Sequence, residues 1–330
     1  MRILLTGAFG NVGLSVLHEA KSTDFVFRCF DLKTKHNQKV ARRFGRMVEI
    51  FWGDIRNADD VREAVQGQDA VIHLAAIIPP QSDQHPSLAQ AVNVDGTENV
   101  IRALQAMDKP AKLIYASSLA LFGQTQHLPP PRTVLDPISP TDAYTEHKAT
   151  CETHIKASGL NWTILRLAAV LPLGLLNKVD PIMFDVPLTD RIEFVHTYDV
   201  GLALLNATMS HQVSQKTFLI GGGERCQLYQ RELIEKGLAC MGIGMLPDQT
   251  FGTEPYHTDW LDTSESQRLL KYQRYTYDDY LEHLTCRLGM YRHLIKLISP
   301  LIRFVLSRQS PYLRLQQLAE RKHPPAKGSV

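Results

Sequence analysis

A glycine-rich turn close to the N-terminus constrains the fold more than any other feature of the chain. The segment 6–13 reads TGAFGNVG and follows an apolar run, Ile3–Leu5. Gly7 permits a tight turn at the end of a strand, Gly10 lets a ligand approach the backbone, and Gly13 lets a helix pack close to a sheet. The N–H groups exposed at such a helix start are typical of a phosphate-binding site. The segment therefore predicts a strand, a phosphate-binding turn and a helix.

Apolar runs alternate with amphipathic segments through the first half of the chain. Six runs are predicted as buried strands: Ile3–Leu5, Phe25–Phe30, Val48–Phe51, Ala70–Leu74, Lys112–Ala116 and Thr163–Leu167. The segments predicted as helices lie near 11–20, 36–44, 58–66, 87–107 and 142–158. Strands that alternate with helices are typical of parallel sheets with right-handed crossovers. We therefore expect an α/β fold with a Rossmann-type, doubly wound parallel sheet.

Further motifs follow the turn in a fixed order. Asp31 ends the second predicted strand, and Gly53-Asp54-Ile55 follows the third. The motif His73-Leu74-Ala75-Ala76 begins inside the fourth predicted strand and extends beyond its end. Ser118 comes next, and Tyr144 and Lys148 are then four residues apart, on one face of a predicted helix. The ordered set, from about Met1 to Lys271, resembles the extended short-chain dehydrogenase/reductase family of the NAD-dependent epimerase/dehydratase type.

This resemblance implies a nicotinamide dinucleotide cofactor. A carboxylate at Asp31 can hydrogen-bond the adenosine ribose and repels a 2′-phosphate, which favours NAD, although Lys33 and Lys35 leave NADP open. His73 is expected to be a core histidine with satisfied hydrogen bonds, and Asn93 either supports the cofactor or is a structural amide. The predicted cofactor-binding residues are Gly7, Phe9, Gly10, Asn11, Val12, Gly13, Asp31, Asp54, Ile55, Leu74, Ala75, Ala76, Asn93, Tyr144 and Lys148.

The resemblance also implies a catalytic set, Ser118, Tyr144 and Lys148. Tyrosine has an ordinary pKa near 10, so it is a poor acid or base at neutral pH unless its phenolate is stabilised. A lysine ammonium one helical turn away, with the positive nicotinamide, can supply that stabilisation. Tyr144 would then exchange a proton with the substrate oxygen, while Lys148 holds the nicotinamide ribose. The family's spacing to Phe122-Gly123 selects Ser118 over Ser117 as the hydroxyl that contacts the same oxygen.

Departures from the family's motifs indicate which reaction to expect. Leu119 and Ala120 follow Ser118 where the dehydratases carry an acidic residue, so elimination is disfavoured. Apolar residues 167–169 follow Arg166 where the sugar-nucleotide epimerases carry an asparagine, and residues 170–176 are also apolar. An apolar pocket suits an alicyclic or lipid-like alcohol. The pattern resembles the 3β-hydroxysteroid dehydrogenase-like branch, and it predicts interconversion of a secondary alcohol and a ketone.

Two other functions stay open. One is a dehydrogenase or epimerase that acts on a sugar, a uronate or a nucleotide sugar. The other is a non-catalytic NAD(P)-binding scaffold or regulator, and the complete set of Ser118, Tyr144 and Lys148 argues against it. We expect a small-molecule alcohol or ketone as the partner, and neither nucleic acid nor a bound metal.

After Leu167 the alternation of strands and helices breaks. Residues 168–193 are predicted as an irregular segment, followed by strands at Ile192–Val195 and Phe218–Ile220 and helices at Tyr198–Met209 and Glu232–Met241. The predicted organisation is a dinucleotide-binding domain over 1–167, to which 192–220 returns, a mainly substrate-binding region over 168–286, and a basic amphipathic helical tail over 287–330.

The tail carries most of the charge asymmetry. Residues 287–330 hold nine Lys or Arg and one Glu, a charge of +8, so residues 1–286 hold the other 27 bases and 33 acids, a charge of −6. The longest uncharged stretch, Leu297–Ile302, is too short to span a bilayer. Residues 287–320 are expected either to lie on an anionic membrane surface or to pack on the body or on a second subunit of a homodimer.

The cysteines and the N-terminus bear on location. Five cysteines are scattered, with no disulfide framework or Cys/His metal pattern, which is typical of a reducing compartment. The chain enters its first predicted strand at Arg2, and we therefore expect no signal peptide. The expected location is cytoplasmic, with peripheral contact to a membrane left open.

Overall fold

The structure is a computed structural model that describes residues 1–45, 47–173 and 181–313. Its strands are β1 (Arg2–Thr6), β2 (Val26–Asp31), β3 (Glu49–Trp52), β4 (Ala70–His73), β5 (Lys112–Ser118), β6 (Trp162–Leu167), β7 (Arg191–Glu193), β8 (Lys216–Ile220) and β9 (Gln227–Tyr229). Its helices are α1 (Asn11–Glu19), α2 (Lys35–Ala41), α3 (Ala58–Val65), α4 (Gln81–Gln84), α5 (Pro86–Gln90), α6 (Gly96–Gln105), α7 (Ala143–Ala157), α8 (Ile182–Asp185), α9 (Thr197–Met209), α10 (Gln230–Cys240), α11 (Ser264–Leu270), α12 (Tyr277–Leu288), α13 (Tyr291–Leu297) and α14 (Ser299–Gln309).

Within these residues, seven parallel strands form the main sheet in the order β3-β2-β1-β4-β5-β6-β8. The order reverses between β1 and β4, where Thr6 pairs with His73. Ligands of open α/β sheets bind at the carboxyl ends of the strands, at such a reversal. The sheet and its flanking helices confirm the predicted Rossmann-type α/β fold.

Two apolar layers cover the sheet, one on each face. One layer packs α1 and α9 on the sheet through residues such as Val16, Val200 and Leu204. The other packs α3, α6 and α7 through residues such as Leu104 and Ile155. Helices on both faces bury the parallel strands, and this explains why β4 and β5 read as nearly continuous apolar runs.

Two predicted elements are corrected by the structure. The run Val48–Phe51 is not a buried strand, since β3 lies at the edge of the sheet with Glu49 exposed and the rest half-buried. The single helix predicted over 87–107 is divided into α5, a π-helical turn at Ala91–Asp95, and α6. The turn carries Asn93, whose side chain bonds the backbone of Ile77.

The C-terminal region has its own small sheet and core. The strand predicted at Ile192–Val195 is found as β7, but it pairs with β9 in a two-stranded antiparallel sheet, while β8 joins the main sheet beside β6. A third apolar cluster packs residues from Leu173 to Leu306, among them Phe194 and Tyr277. The domain boundaries remain a prediction.

The described part of the tail, residues 287–313, packs on this third core. Leu306 is buried there, Ser310 Oγ donates to the Thr250 carbonyl at 2.6 Å, and Tyr312 Oη donates to Asp185 at 3.0 Å. Across the described ranges, no helix combines the length and the apolar character needed to cross a bilayer. Residues 314–330 of the predicted tail and 174–176 of the predicted apolar segment lie outside the described residues.

Candidate active site

The glycine turn joins β1 to α1 at the reversal point of the sheet. Gly7 has a φ of +64°, and a Cβ there would lie 3.0 Å from the Ala75 nitrogen. A Cβ at Gly13 would lie 2.5 Å from the carbonyl oxygen of Gly7, so only glycine fits at either position. A Cβ at Gly10 would lie 3.4 Å from the Gly7 carbonyl oxygen and would otherwise face open space. The first N–H groups of α1, from Asn11 onward, lack intrahelical acceptors and therefore suit a phosphate.

Asp31 connects this turn to the end of β2. Its Oδ2 accepts a hydrogen bond from the Phe9 N–H at 2.9 Å, and its Oδ1 accepts from Leu32 N at 2.8 Å and Asn37 Nδ2 at 3.0 Å. Burial raises the pKa of Asp31, and the two backbone N–H bonds oppose that rise. Asp31 thus has a structural role that the sequence analysis did not foresee. The Phe9 side chain is buried against Trp52, so the Phe9 backbone, and not its ring, faces the glycine turn.

Asp54 and Ile55, which follow β3, lie in different environments: Asp54 is at the surface and Ile55 is in the core. Both oxygens of Asp54 accept from Arg56 Nε at 3.0 Å, and this hydrogen bonding lowers the pKa of Asp54. Ile55 is buried, and a Cβ on Gly96 would approach its Cγ2 to 2.9 Å. The Ile55 carbonyl accepts from Asn99 Nδ2 at 3.0 Å. The structure therefore directs the Asp54 carboxylate toward Arg56, and Ile55 into the core.

A hydrogen-bonded chain fixes the segment after β4. Thr6 Oγ1 accepts from the N–H groups of Leu74 and Ala75 at 3.1 and 3.2 Å and lies 2.7 Å from His73 Nδ1. His73 Nε2 lies 3.1 Å from Thr97 Oγ1. Burial, and then the charge of Lys148, lower the pKa of His73 to about 3. His73 is thus the satisfied core histidine that was expected, and Thr6 is a positioning residue that the sequence analysis missed.

Asn93 clamps the same segment from the other side. Its Oδ1 accepts from Ile77 N at 2.7 Å, its Nδ2 donates to Ile77 O at 2.9 Å, and Nδ2 also lies 3.5 Å from His147 Nδ1. Between the two alternatives left open by the sequence, this geometry favours a structural amide. Leu74, Ala75 and Ala76 are half-buried between the two clamps.

The predicted catalytic side chains meet at the carboxyl end of β5. Ser118 ends that strand, its Oγ accepts from the Ala120 N–H at 3.2 Å, and its side chain is near enough to Tyr144 to lower the pKa of the phenol. Lys148 Nζ donates to the Ala116 carbonyl at 2.7 Å and lies 5.8 Å from the centre of the Tyr144 ring. A capping box of Asp142 and Thr145 starts α7 and fixes Tyr144 in its first turn.

Burial is the largest electrostatic effect on Tyr144 and Lys148. Burial raises the pKa of Tyr144 to about 12, the Ser118 side chain opposes the rise, and the charge of Asp142 adds to it. Burial also lowers the pKa of Lys148 to about 8. The expectation that Lys148, together with the positive nicotinamide, lowers the pKa of Tyr144 stays a prediction.

A buried ion-pair network that sequence reasoning missed holds α7 on the sheet. Glu152, one turn beyond Lys148, accepts from Arg166 Nε and Nη2 at 2.9 and 2.8 Å and from Lys156 Nζ at 2.9 Å. Ser117 Oγ donates to the same carboxylate at 2.7 Å, which explains why Ser118 and not Ser117 faces Tyr144. A charged arginine in a buried strand requires a carboxylate partner, and this was the signal available in the sequence.

The segment expected to line an apolar pocket is largely packed. Leu173 is buried in the third core, Leu171 packs against the same cluster, and Val170 packs against the layer beneath α1 and α9. Nearby, Arg191 Nε pairs with Asp259 Oδ1 at 2.7 Å and Arg132 Nε with Asp259 Oδ2 at 3.2 Å. In the described part of the chain, no three His, Cys, Asp or Glu side chains gather as a metal site.

The relatives of the chain among known proteins include a steroid dehydrogenase and a sugar-nucleotide epimerase. The chain is 30% identical over 194 residues to a 3 beta-hydroxysteroid dehydrogenase/Delta 5-->4-isomerase of Mycobacterium tuberculosis, covering 56% of this chain and 49% of that protein. It is also 30% identical over 130 residues to a UDP-glucose 4-epimerase of Mycoplasma genitalium, covering 38% of each. The chain thus spans less than half the length of these curated relatives.

A solved structure shares the fold over nearly the whole chain. It is a short-chain dehydrogenase/reductase superfamily protein of Agrobacterium tumefaciens with bound NAD, with a TM-score of 0.74 and 20% identity, covering 90% of this chain and 99% of that one. The NAD dependent epimerase/dehydratase family matches residues 3–221. This match covers more than half of the chain and confirms the resemblance predicted from its motifs: the chain belongs to the NAD dependent epimerase/dehydratase family.

Proposed function

We propose that this chain is an NAD-dependent oxidoreductase that interconverts a secondary alcohol and a ketone on an apolar, alicyclic or lipid-like substrate. The observation that carries the proposal is that Ser118, Tyr144 and Lys148 come together at the carboxyl end of β5, with Lys148 Nζ 5.8 Å from the centre of the Tyr144 ring. A non-catalytic scaffold would not need these three groups to converge at the ligand-binding edge of the sheet.

The residues at the glycine turn fit a dinucleotide. Gly7 and Gly13 have no room for a side chain, and the open face at Gly10 leaves the start of α1 accessible to a pyrophosphate. The Asp31 carboxylate ends β2 with three hydrogen bonds to protein donors, which leaves acceptor capacity for a ribose hydroxyl. When bound, NAD supplies the hydride acceptor for alcohol oxidation or the reduced donor for ketone reduction.

The protein's own residues move and hold the proton. With a pKa of about 12, Tyr144 is protonated at neutral pH and is prepared to donate to a ketone oxygen. Alcohol oxidation requires it to accept a proton instead, so its pKa has to fall when the complex forms. Ser118 holds the same substrate oxygen, and the Lys148 ammonium stabilises the phenolate that results from donation.

The charges of the C-terminal region support an uncharged substrate. Arg191 and Arg132 share the carboxylate of Asp259, and Arg132 Nη1 also pairs with Asp136 at 3.1 Å. Arginines that recognise a diphosphate offer their N–H groups in pairs, and these two are engaged with protein carboxylates. This favours an apolar alcohol over a nucleotide sugar, as does the resemblance to the 3β-hydroxysteroid dehydrogenase-like branch.

A sugar-nucleotide epimerase or dehydrogenase is the second candidate, since one of the curated relatives is a UDP-glucose 4-epimerase. The two reactions differ in their net chemistry. An epimerase returns the hydride to its substrate and accumulates no reduced cofactor, whereas an alcohol dehydrogenase accumulates one reduced cofactor per alcohol oxidised. Absorbance of the reduced cofactor, with a panel of apolar secondary alcohols and a panel of UDP-sugars, separates them.

The variant Tyr144→Phe tests the proposed role directly. It removes one hydroxyl, so we expect turnover to fall about 100-fold or more, the usual contribution of a positioned acid or base, with NAD affinity nearly unchanged. Tyr229→Phe, at a half-exposed tyrosine of β9, is the matched control and should behave as the unmodified protein. Turnover of Tyr144→Phe close to that of the control would contradict the assignment.

Assembly and location remain proposals as well. A homodimer, a cytoplasmic location and contact of residues 287–320 with a membrane surface are consistent with the sequence. The described residues of that tail pack on the third core through one face.

A further inference from the structure

The second face of the tail is apolar and exposed to solvent. Eight large apolar side chains of residues 290–305 are exposed: Met290, Tyr291, Leu294, Leu297, Ile298, Leu301, Phe304 and Val305. Met290 and Leu297 are 85% and 77% exposed, respectively. Single exposed apolar residues are ordinary on a protein surface, but a contiguous group of this size marks an interaction site.

The body of the protein fixes the orientation of this surface. Ile295, Ile302 and Leu306 face inward and pack on the third core. Arg303 Nη1 donates to the Ile243 carbonyl at 3.2 Å, and Ser310 Oγ donates to the Thr250 carbonyl. The inward face is therefore occupied, and α13 and α14 cannot rotate their exposed apolar residues into the core without losing these contacts.

The charge of the segment selects the kind of partner. Residues 287–313 contain five Lys or Arg and no Asp or Glu. A second copy of the same surface would bring like charges together, which opposes pairing of this face with itself. A surface that is apolar and anionic complements it on both counts, and the interface of a phospholipid bilayer has both properties.

A cavity of about 430 Å³ lies beside the exposed apolar residues. Arg292, Lys296, Arg303 and His293 line it on one side, and the loop from Gly242 to Gly244 lines the other. Among the described residues that line this cavity, none is a carboxylate. Both glycines have positive φ angles, and a Cβ at Gly244 would lie 3.0 Å from Arg303 Nη1, so the loop approaches the cations closely.

We propose that α13 and α14 form a peripheral membrane-binding surface, with the basic cavity at Arg292, Lys296 and Arg303 receiving the phosphate of an anionic phospholipid headgroup. The exposed leucines, isoleucines and aromatic rings enter the headgroup layer, while the cations meet the phosphates at its level. This surface is separate from the Ser118–Tyr144 site, so membrane binding and turnover can be tested independently.

Co-sedimentation with vesicles tests the proposal on the full chain. We expect binding to vesicles of phosphatidylcholine mixed with phosphatidylglycerol, no binding to phosphatidylcholine alone, and weaker binding as the salt concentration rises. The double variant Arg292→Gln/Lys296→Gln should bind the anionic vesicles about 20- to 30-fold more weakly, from about five-fold per basic residue. Its charge-matched control is Lys21→Gln/Lys39→Gln, at two exposed lysines outside the tail, and this control should bind as the unmodified chain.

A second pair of variants tests the apolar face. Leu297→Gln and Leu301→Gln should each weaken vesicle binding about ten-fold, because each removes a leucine side chain that leaves water on binding. Leu135→Gln is the matched control, since Leu135 is 91% exposed and lies outside the tail. NAD affinity of every variant, measured in the same preparations, reports whether the fold is intact.

Several results would overturn the proposal. The full chain remaining in the supernatant, or binding both vesicle types equally, would refute an anionic membrane partner. Unchanged binding of Arg292→Gln/Lys296→Gln would refute the headgroup site. A dimer in sedimentation velocity that Leu297→Gln dissociates would assign the face to a second copy of the chain.

Discussion

Acidification should lower the free energy of unfolding through one buried residue beneath the proposed cofactor site, His73. The directions of its hydrogen bonds follow from its neighbours. Thr6 Oγ1 already accepts from two backbone N–H groups, so its own proton points at His73 Nδ1. Thr97 Oγ1 donates to the Asn93 carbonyl, so it accepts from His73 Nε2. The network therefore fixes the neutral Nε2–H tautomer, and a proton on Nδ1 would oppose the proton of Thr6.

The magnitude follows from the pKa values. His73 has an ordinary pKa of 6.5 when unfolded, and burial with the nearby Lys148 charge lowers it to about 3 in the folded protein. Between these values the unfolded chain binds more protons than the folded chain, so stability falls as the pH falls. On going from about pH 7.5 to about pH 5, His73 alone should remove about 2 kcal/mol of the free energy of unfolding.

Urea denaturation of His73→Gln and of the unmodified chain at the two pH values isolates this contribution. Other buried histidines contribute to acid destabilisation in both proteins, so the measured quantity is the difference between their pH dependences. The variant should lose about 2 kcal/mol less than the unmodified chain on acidification. His211→Gln, at an exposed histidine, should show no such difference. Equal acid destabilisation of His73→Gln and the unmodified chain would refute a neutral, network-bound His73.

Three further predictions concern the cofactor, the catalytic helix and the tail. Asp31→Ala should weaken NAD binding and narrow the preference over NADP in titrations with both cofactors, and tighter binding of NADP than of NAD to the unmodified chain would contradict the role of Asp31. Glu152→Ala should cost about 3–5 kcal/mol in urea unfolding because it leaves Arg166 buried without its partner, whereas Glu146→Ala, exposed on the same helix, should cost little. Truncation after Gly289 should destabilise the C-terminal region because it uncovers the third core at Leu306, and a truncated chain with unchanged thermal stability would contradict this packing.

The features that the sequence predicted are those with local signals. Each of these signals lies within a few residues: the strand periods, the glycine turn, and the four-residue spacing of Tyr144 and Lys148. The structure has β1, α1 and α7 where those patterns put them. The start of α3 is also local, since Asn57 Oδ1 accepts from Asp59 N at 3.0 Å and caps the helix. The edge position of β3 had no such signal, because strand order depends on pairing between distant segments.

The features that the sequence did not predict join distant parts of the chain. Thr6 meets His73 across 67 residues and Ser117 meets Glu152 across 35, and no periodicity encodes either contact. The apolar run at 170–173 illustrates a different difficulty. A leucine gives the same sequence signal whether it lines a pocket or fills a core. The contacts of Leu173 in the folded structure were needed to assign it to the third core.

These long-range contacts connect the proposed cofactor site to the catalytic helix. The Asn93 side chain holds Ile77, while its carbonyl accepts from Thr97 Oγ1 at 2.6 Å and from Cys151 Sγ of α7 at 3.1 Å. The hydrogen bonds that link Thr6, His73 and Thr97 therefore end on Asn93, and α7 contacts the same residue through Cys151. A shift of the segment 74–77 would thus displace Asn93 and, through Cys151, the helix that carries Tyr144 and Lys148. Protonation of His73 should for this reason weaken cofactor binding and misplace the tyrosine together, rather than affect one site alone.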